Sequence, residues 1–457
     1  MPVQMFGSTA LHSRLSPSWM AHRASLAGLY VLVLSVDLAT AGFNLALAII
    51  VLATLPMLPV IWRDLKEVPA FWLAAGLTVY VVVQSLVLTS VHPVMGESSN
   101  PHWTHVARVT GLVSFVIGWW LVQHRRHVPV LLGLAVFSLL ANQLAAIDYG
   151  ALLEDPFAAR RTWGKAPVRV GFASAAGLVM SCAALLCLAF RASGPRRPSL
   201  RWLAIFGSGV IVAIFALMLY GSQTRGAWLG ASVAILFLVG LTTFYAFRYG
   251  RALHVLAALL TLAAVVGSVI VATDHGNVVE RRVTGEAAAF EAVVALDREA
   301  LYEANRSMGL RVNMWTEALL ALRDSPWFGH GVGTKEVLEQ RSELHIGGAT
   351  GNLHSIYVEL AYSLGMVGAV GFVLVYGLLF RRFVRAWRGG VVHDGLALIV
   401  IAFWVMTLVA LLTDVRIGHA NSRALLMFML AMVCFAVLML QRSPNSASGQ
   451  AAEKQGE

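Results

Sequence analysis

Apolar residues run through this chain in long, almost uninterrupted stretches, and the polar positions collect in the short segments between them. A helix needs roughly 20 residues to cross a hydrocarbon core of about 30 Å. On that measure the pattern predicts about twelve spans, near 24–41, 42–62, 70–90, 108–123, 128–147, 168–190, 202–220, 227–247, 252–272, 355–380, 395–412 and 424–440. The expected fold class is all-α, a polytopic membrane protein, with one interruption long enough to hold structure of its own. Residues 1–272 carry the first nine spans, 273–353 form a helical loop, and 354–440 carry the last three. Residues 441–457 read as a disordered polar tail, because RSPNSASGQAAEKQGE offers nothing to bury.

Composition agrees with lipid as the solvent: 58% apolar residues, 13% charged residues and a mean hydropathy of +0.72 exclude a soluble globular chain. Basic residues set the orientation, since Lys and Arg resist translocation in short loops. Arg63, Lys66, Arg125, Arg126, Arg191, Arg196, Arg197, Arg201, Arg248 and Arg251, then Arg381, Arg382, Arg385 and Arg388, all fall on one side if both termini are cytoplasmic. The long loop then faces outward. The net charge of +10 follows from this topology and from contact with anionic membrane lipids, so no nucleic-acid partner is expected. Trp62, Trp72, Trp120, Trp202, Trp228 and Trp387 lie near span ends and read as interfacial anchors. Cys182, Cys187 and Cys434 all fall within spans, which leaves the exported loops without a disulfide framework. Ala39, Thr40 and Ala41 have the form of a signal-peptidase site, but the apolar run that opens at Gly42 favours a retained helical hairpin.

Chemistry is to be sought in the long loop and at the span ends beside it. GEAAAFEAVVALDREALYEA and LRVNMWTEALLALRDS both read as helix, and in the second Arg311, Trp315, Leu319 and Leu322 share one side. Ser325 and Pro326 stop that helix. Gly329, Gly331 and Gly333 then make either a plain turn or a backbone that offers N–H groups to an anion. His354 stands at the start of the tenth span, with Tyr357 on the same face and Glu359 directed elsewhere. The positive end of a helix dipole disfavours imidazolium, which suits a general base, and a histidine that merely packs at a helix end has the same sequence signature. Arg225, in the turn GSQTRGAWLG, either snorkels or presents a guanidinium fork to a phosphate. Arg160 and Arg161, with Lys165 and Arg169, break the charge bias on the outer side; they pair with Glu154 and Asp155 or hold a lipid phosphate. Arg416 and Arg423 pose the same question. The outward carboxylates, Asp297 with Glu299 and Glu154 with Asp155, read as surface charges, so no metal site and no cofactor are expected.

Four segments together resemble the O-antigen ligase and polymerase superfamily: SxTRGAWL around Arg225, the RxxxW helix of Arg311, PxxGxGxG from Pro326, and HSxYxxxxxxxG from His354 to Gly365. The resemblance covers about 150 residues of the chain. It implies a multi-spanning glycosyltransferase of the GT-C-like type in the bacterial inner membrane, with its site facing the periplasm. The implied donor is a glycan on undecaprenyl diphosphate and the implied acceptor is lipid A-core, joined without metal and with inversion. On that reading His354 is the general base, Arg225 and Arg311 stabilise the diphosphate, and Arg160, Arg161, Tyr357, Trp315 and Gly331 line the substrates. The single dominant loop and the short region after the last span favour a ligase over an O-antigen polymerase or a protein O-oligosaccharyltransferase. Outside the superfamily a secondary transporter shares the layout, but ionisable groups deep in the spans are scarce, with Asp37 the clearest.

Overall fold

The computed structural model describes residues 17–38, 40–91, 111–154, 160–164, 166–190, 198–248, 289–295, 297–331, 353–413 and 420–443. Helix α1 spans Pro17–Leu34, α2 Thr40–Thr54, α3 Leu58–Leu65, α4 Pro69–Val91, α5 Leu112–Gln123, α6 Val128–Ala146, α7 Tyr149–Glu154 and α8 Pro167–Phe190. There follow α9 Pro198–Ser222, α10 Arg225–Arg248, α11 Arg298–Ala304, α12 Arg306–Ala321, α13 Ile356–Arg388, α14 Asp394–Ala410 and α15 Ala420–Gln441. Among the described residues 7 helices are long and apolar enough to cross a membrane, and Pro69–Gln84 of α4, α5 and α14 are shorter apolar helices beside them. The chain is an all-α polytopic membrane protein. Every expected span meets a helix except the ninth, 252–272, which lies outside the described residues.

Two helices form the axis of the bundle. In α8, 89% of the most apolar window is buried and in α15 83%, whereas the windows of α2, α9 and α10 are buried to only 28–33%. The outer helices turn apolar side chains to the lipid, among them Leu52, Phe206, Leu236 and Phe244. Small residues let the axis helices be approached closely, which is how helices gain contact where lipid is as apolar as their own side chains. The Phe215 ring of α9 lies directly over Gly177 of α8, and Gly118 of α5 sits against Ala431 and Cys434 of α15. A side chain on Gly230 of α10 would stand 2.7 Å from the Met406 carbonyl of α14.

Several sequence expectations need correction. The first helix starts at Pro17 and stops at Leu34, earlier than the span 24–41, because the chain turns over residues 35–38 before α2 begins. Trp120 is no interfacial anchor: it is fully buried and its indole donates to Thr54 Oγ1 at 3.0 Å. Trp62 and Trp72, by contrast, are about half exposed. The first loop helix is interrupted and the second is displaced towards the N-terminus relative to their helix-forming segments. Asp297 breaks the first by accepting from the Glu299 and Ala300 N–H groups, and Asn305 caps α12 by accepting from Met308 N–H at 3.2 Å. Short polar side chains compete for main-chain donors and so start helices more readily than they continue them. The second helix therefore begins at Arg306 and ends at Ala321, before Ser325 and Pro326 are reached.

Candidate functional site

Three segments meet at one end of the bundle, and the residues just past the end of α14 hold two of them. The Leu411 carbonyl accepts the Ile356 N–H at 3.1 Å, two residues beyond His354. Thr413 lies against Gly226, the neighbour of Arg225, so closely that a side chain there would overlap its hydroxyl. A further rivet is Tyr357, whose hydroxyl donates to the Leu408 carbonyl at 2.9 Å. His354 and Arg225 are thereby brought to the same end of α14. The third segment is α12. Its Trp315 indole donates to the Leu353 carbonyl at 2.7 Å, and Met314, Ala318, Leu353 and Tyr362 close a small apolar cluster beneath it. Arg311 lies one turn before Trp315 on the same helix.

The turn that carries Arg225 is fixed from below. Gln223 takes a left-handed conformation at φ 50, the Thr224 hydroxyl donates to the Pro167 carbonyl at 3.0 Å, and the Trp228 indole donates to the Leu219 carbonyl at 2.7 Å. Trp228 also stacks on Tyr220 with ring centroids 5.8 Å apart. Arg225 opens α10 from an exposed position. Arg160 and Arg161 lie in a 3-10 turn of residues Arg160–Trp163, whose Trp163 packs against Gly221 beside the same turn. Arg169 is engaged elsewhere: its Nε meets Asp37 Oδ1 at 2.8 Å, it bonds the Asp37 carbonyl, and Gln143 bonds the same carboxylate. Asp37 is 3% exposed, so the deepest carboxylate noted in the sequence and one cation of the basic cluster are each other's partners.

Below His354, α13 is broken at Gly365, where φ is 64 and ψ −171. A break at membrane depth frees carbonyls that lipid cannot satisfy. The glycine run supplies the donors: His330 N–H bonds the Tyr362 carbonyl and Gly331 N–H the Ser363 carbonyl, both at 2.8 Å. Met366 and Val367 N–H donate in return to the Pro326 and Trp327 carbonyls. From α4, the Tyr80 hydroxyl donates to the Leu364 carbonyl at 2.7 Å and the Gln84 amide to the Ser363 carbonyl at 2.9 Å, and Gln84 also bonds the Phe328 carbonyl. The loop backbone is thus threaded through the break in the helix. His330 stacks on Tyr362 at 4.9 Å and bonds the Ala321 carbonyl at 2.7 Å, which ties the run back to α12.

Of the sequence candidates, His354, Arg225 and Arg311 are carried by the three joined segments. Trp315, Tyr357 and Gly331 belong to the same end, but their N–H or O–H groups are engaged within the protein, so they hold the site together. Glu359, set aside in the sequence reading, reaches back to accept the Leu353 N–H at 3.0 Å. Gly333 and Arg416 lie outside the described residues, and Arg423 stands in the first turn of α15. Among the described residues no three His, Cys, Asp or Glu side chains are grouped to hold a metal ion.

Fold and contacts define a multi-spanning membrane protein in which the segments that carry Arg225, Arg311 and His354 are joined at one end of the bundle. Residues 210–373, which span all three segments, match the family model described as O-antigen ligase. A protein of Haemophilus influenzae described as uncharacterized is 28% identical over 173 residues, covering 36% of this chain. The chain spans 41% of that relative's length.

Proposed function

We propose that this protein transfers a glycan from undecaprenyl diphosphate to a hydroxyl of lipid A-core at the periplasmic face of the bacterial inner membrane. The observation that carries the reading is the end of α14, where Leu411 holds the His354 segment and Thr413 the Arg225 turn, while Trp315 ties the helix of Arg311 to Leu353. In this reaction the acceptor oxygen attacks the anomeric carbon, the bond to the diphosphate oxygen breaks, and His354 takes the hydroxyl proton. Arg225 and Arg311 stabilise the charge that develops on the departing diphosphate. Attack opposite the leaving group inverts the anomeric configuration and forms no glycosyl-enzyme. General-base help of this kind is worth typically 10²–10⁴-fold, and oriented cations in a shielded site contribute several kcal/mol more. Arg160 and Arg161 are proposed as further contacts to the anionic substrates, and the step uses no metal.

Deleting the gene and restoring it with variants tests the reading. The deletion strain is expected to carry lipid A-core without glycan while long polymer accumulates on its carrier. Restoration by the wild type and failure with His354→Ala, Arg225→Ala or Arg311→Ala supports the proposal. Core bearing a single repeat unit in the deletion strain points to a polymerase instead. Loss of transfer by the purified protein in a chelator, reversed by a divalent cation, would refute the metal-free step.

A further inference from the structure

Leu353 is gripped at both of its main-chain polar groups by side chains from different elements. The Trp315 indole donates to its carbonyl at 2.7 Å, and its N–H donates to Glu359 Oε2 at 3.0 Å. Its own side chain is buried with Met314, Ala318 and Tyr362. Three residues on, Ile356 N–H is fixed to the Leu411 carbonyl. Between these points stands His354 at φ 51, a left-handed conformation that residues other than glycine seldom adopt. Such a backbone persists where its surroundings over-determine it. Ser355 occupies the N-cap position of α13 without making a side-chain cap bond, so Glu359 is the side chain that reaches back across the first turn.

We propose that Trp315 and Glu359 are positioning residues for His354: by clamping the Leu353 peptide from both sides they hold the imidazole in its left-handed setting. Trp315 also sets the height of Arg311, one helical turn away, against His354. One indole therefore fixes the spacing between the proposed base and one proposed diphosphate contact. The inference rests on the role of His354 stated above. Misplacing a reacting group by about 1 Å costs on the order of 10²-fold in rate, so the clamp acts on turnover more than on donor affinity.

The test uses the full-length protein in lipid nanodiscs with a carrier-linked glycan and lipid A-core. Trp315→Phe, which removes the indole donor and keeps an aromatic ring, and Glu359→Ala are each expected to lower kcat by at least about tenfold while donor KM stays within about twofold. Glu359→Gln keeps an acceptor oxygen and is expected to recover kcat to within about threefold of the wild type. Amide hydrogen exchange over residues 353–357 reads the clamp without any turnover, and it should quicken in Trp315→Phe and Glu359→Ala. Unchanged exchange in both variants overturns the clamp, as does Glu359→Gln as impaired as Glu359→Ala. Slow exchange in the wild type, quickened in the variants, in a protein that transfers no glycan would sink the proposed function and leave the clamp standing.

Discussion

Replacing Gly365 by alanine strikes the point where the loop passes through α13. An added Cβ would lie 2.5 Å from the Gly329 nitrogen and overlap the Trp327 carbonyl, both of them backbone, so no rotamer change relieves it. The conformation itself, φ 64 with ψ −171, is essentially restricted to glycine and costs an alanine about 1–3 kcal/mol. If the loop lifts away to make room, the bonds from His330 and Gly331 to the Tyr362 and Ser363 carbonyls, and those returned by Met366 and Val367, are lost together. At about 0.5–1.5 kcal/mol each, these four bonds bring the total to about 3–9 kcal/mol, or about two to six powers of ten in the equilibrium between docked and lifted loop. Amide exchange of His330, Gly331, Met366 and Val367 in nanodiscs reads this directly, and limited proteolysis between α12 and α13 reads it independently. Both should accelerate strongly in Gly365→Ala, while the helices of the bundle keep their protection. Exchange at these amides within about threefold of the wild type would show that the threaded crossing does not hold the loop.

Further predictions follow from other contacts. Asp37→Ala strands the Arg169 guanidinium, which is one-third exposed, and should cost about 2–3 kcal/mol, read as a lowered thermal midpoint that Arg169→Ala partly restores. Gly226→Val drives α10 away from Thr413 and should lower glycan transfer at least about tenfold, whereas Gly240→Val, with open space around it, should match the wild type. His124 is pressed down to about 4 by burial first and then by the charges of His22 and His127. A folded value below the unfolded one means the unfolded chain binds more protons, so stability should be lost as pH falls from about 6.5 towards 4. His124→Gln should flatten that slope in thermal unfolding measured across this range.

Much of the bundle was legible because span length and charge placement are local properties of the chain. The breaks were legible only where the breaker acts locally. Asp297 and Asn305 are short polar residues placed to accept from main-chain N–H groups two or three positions on, and the helix-forming residues around them hid the signal. Gly365 is different in kind. In GMVGAVGF it reads as one of several small residues suited to close helix packing, and nothing nearby marks it as a break. What makes the break tolerable lies in α4, where Gln84 and Tyr80 stand 279 and 284 residues from the carbonyls they satisfy. The same limit explains Trp315. The stripe of Arg311, Trp315, Leu319 and Leu322 is not the buried side of α12, which is Gly309, Asn313, Met314 and Ala318, with Leu319 exposed and Leu322 past the helix end; only tertiary structure shows that the Trp315 indole meets Leu353. Asp37 and Arg169 were each singled out as anomalies in different segments, and their pairing answers both.

The arrangement at this end of the bundle also has an electrostatic logic that no single residue carries. Helices α10 and α13 both begin here, at Arg225 and Ile356, and both are held by the end of α14. Their first turns therefore present the positive ends of two helix dipoles in the same region as two guanidinium groups. Helix α14 ends here and would contribute a negative end, but its Leu411 carbonyl is covered by the Ile356 N–H, which removes an acceptor from the site. The two helix starts and the guanidinium groups then carry the sign that an anionic leaving group requires, and the Glu359 carboxylate in the first turn of α13 is turned to the Leu353 N–H. It follows that the proposed site depends on how three helix ends are registered against one another as much as on which side chains they carry. Substitutions that shift those ends without removing a charge, such as Gly226→Val, should then damage transfer in the same manner as loss of an arginine.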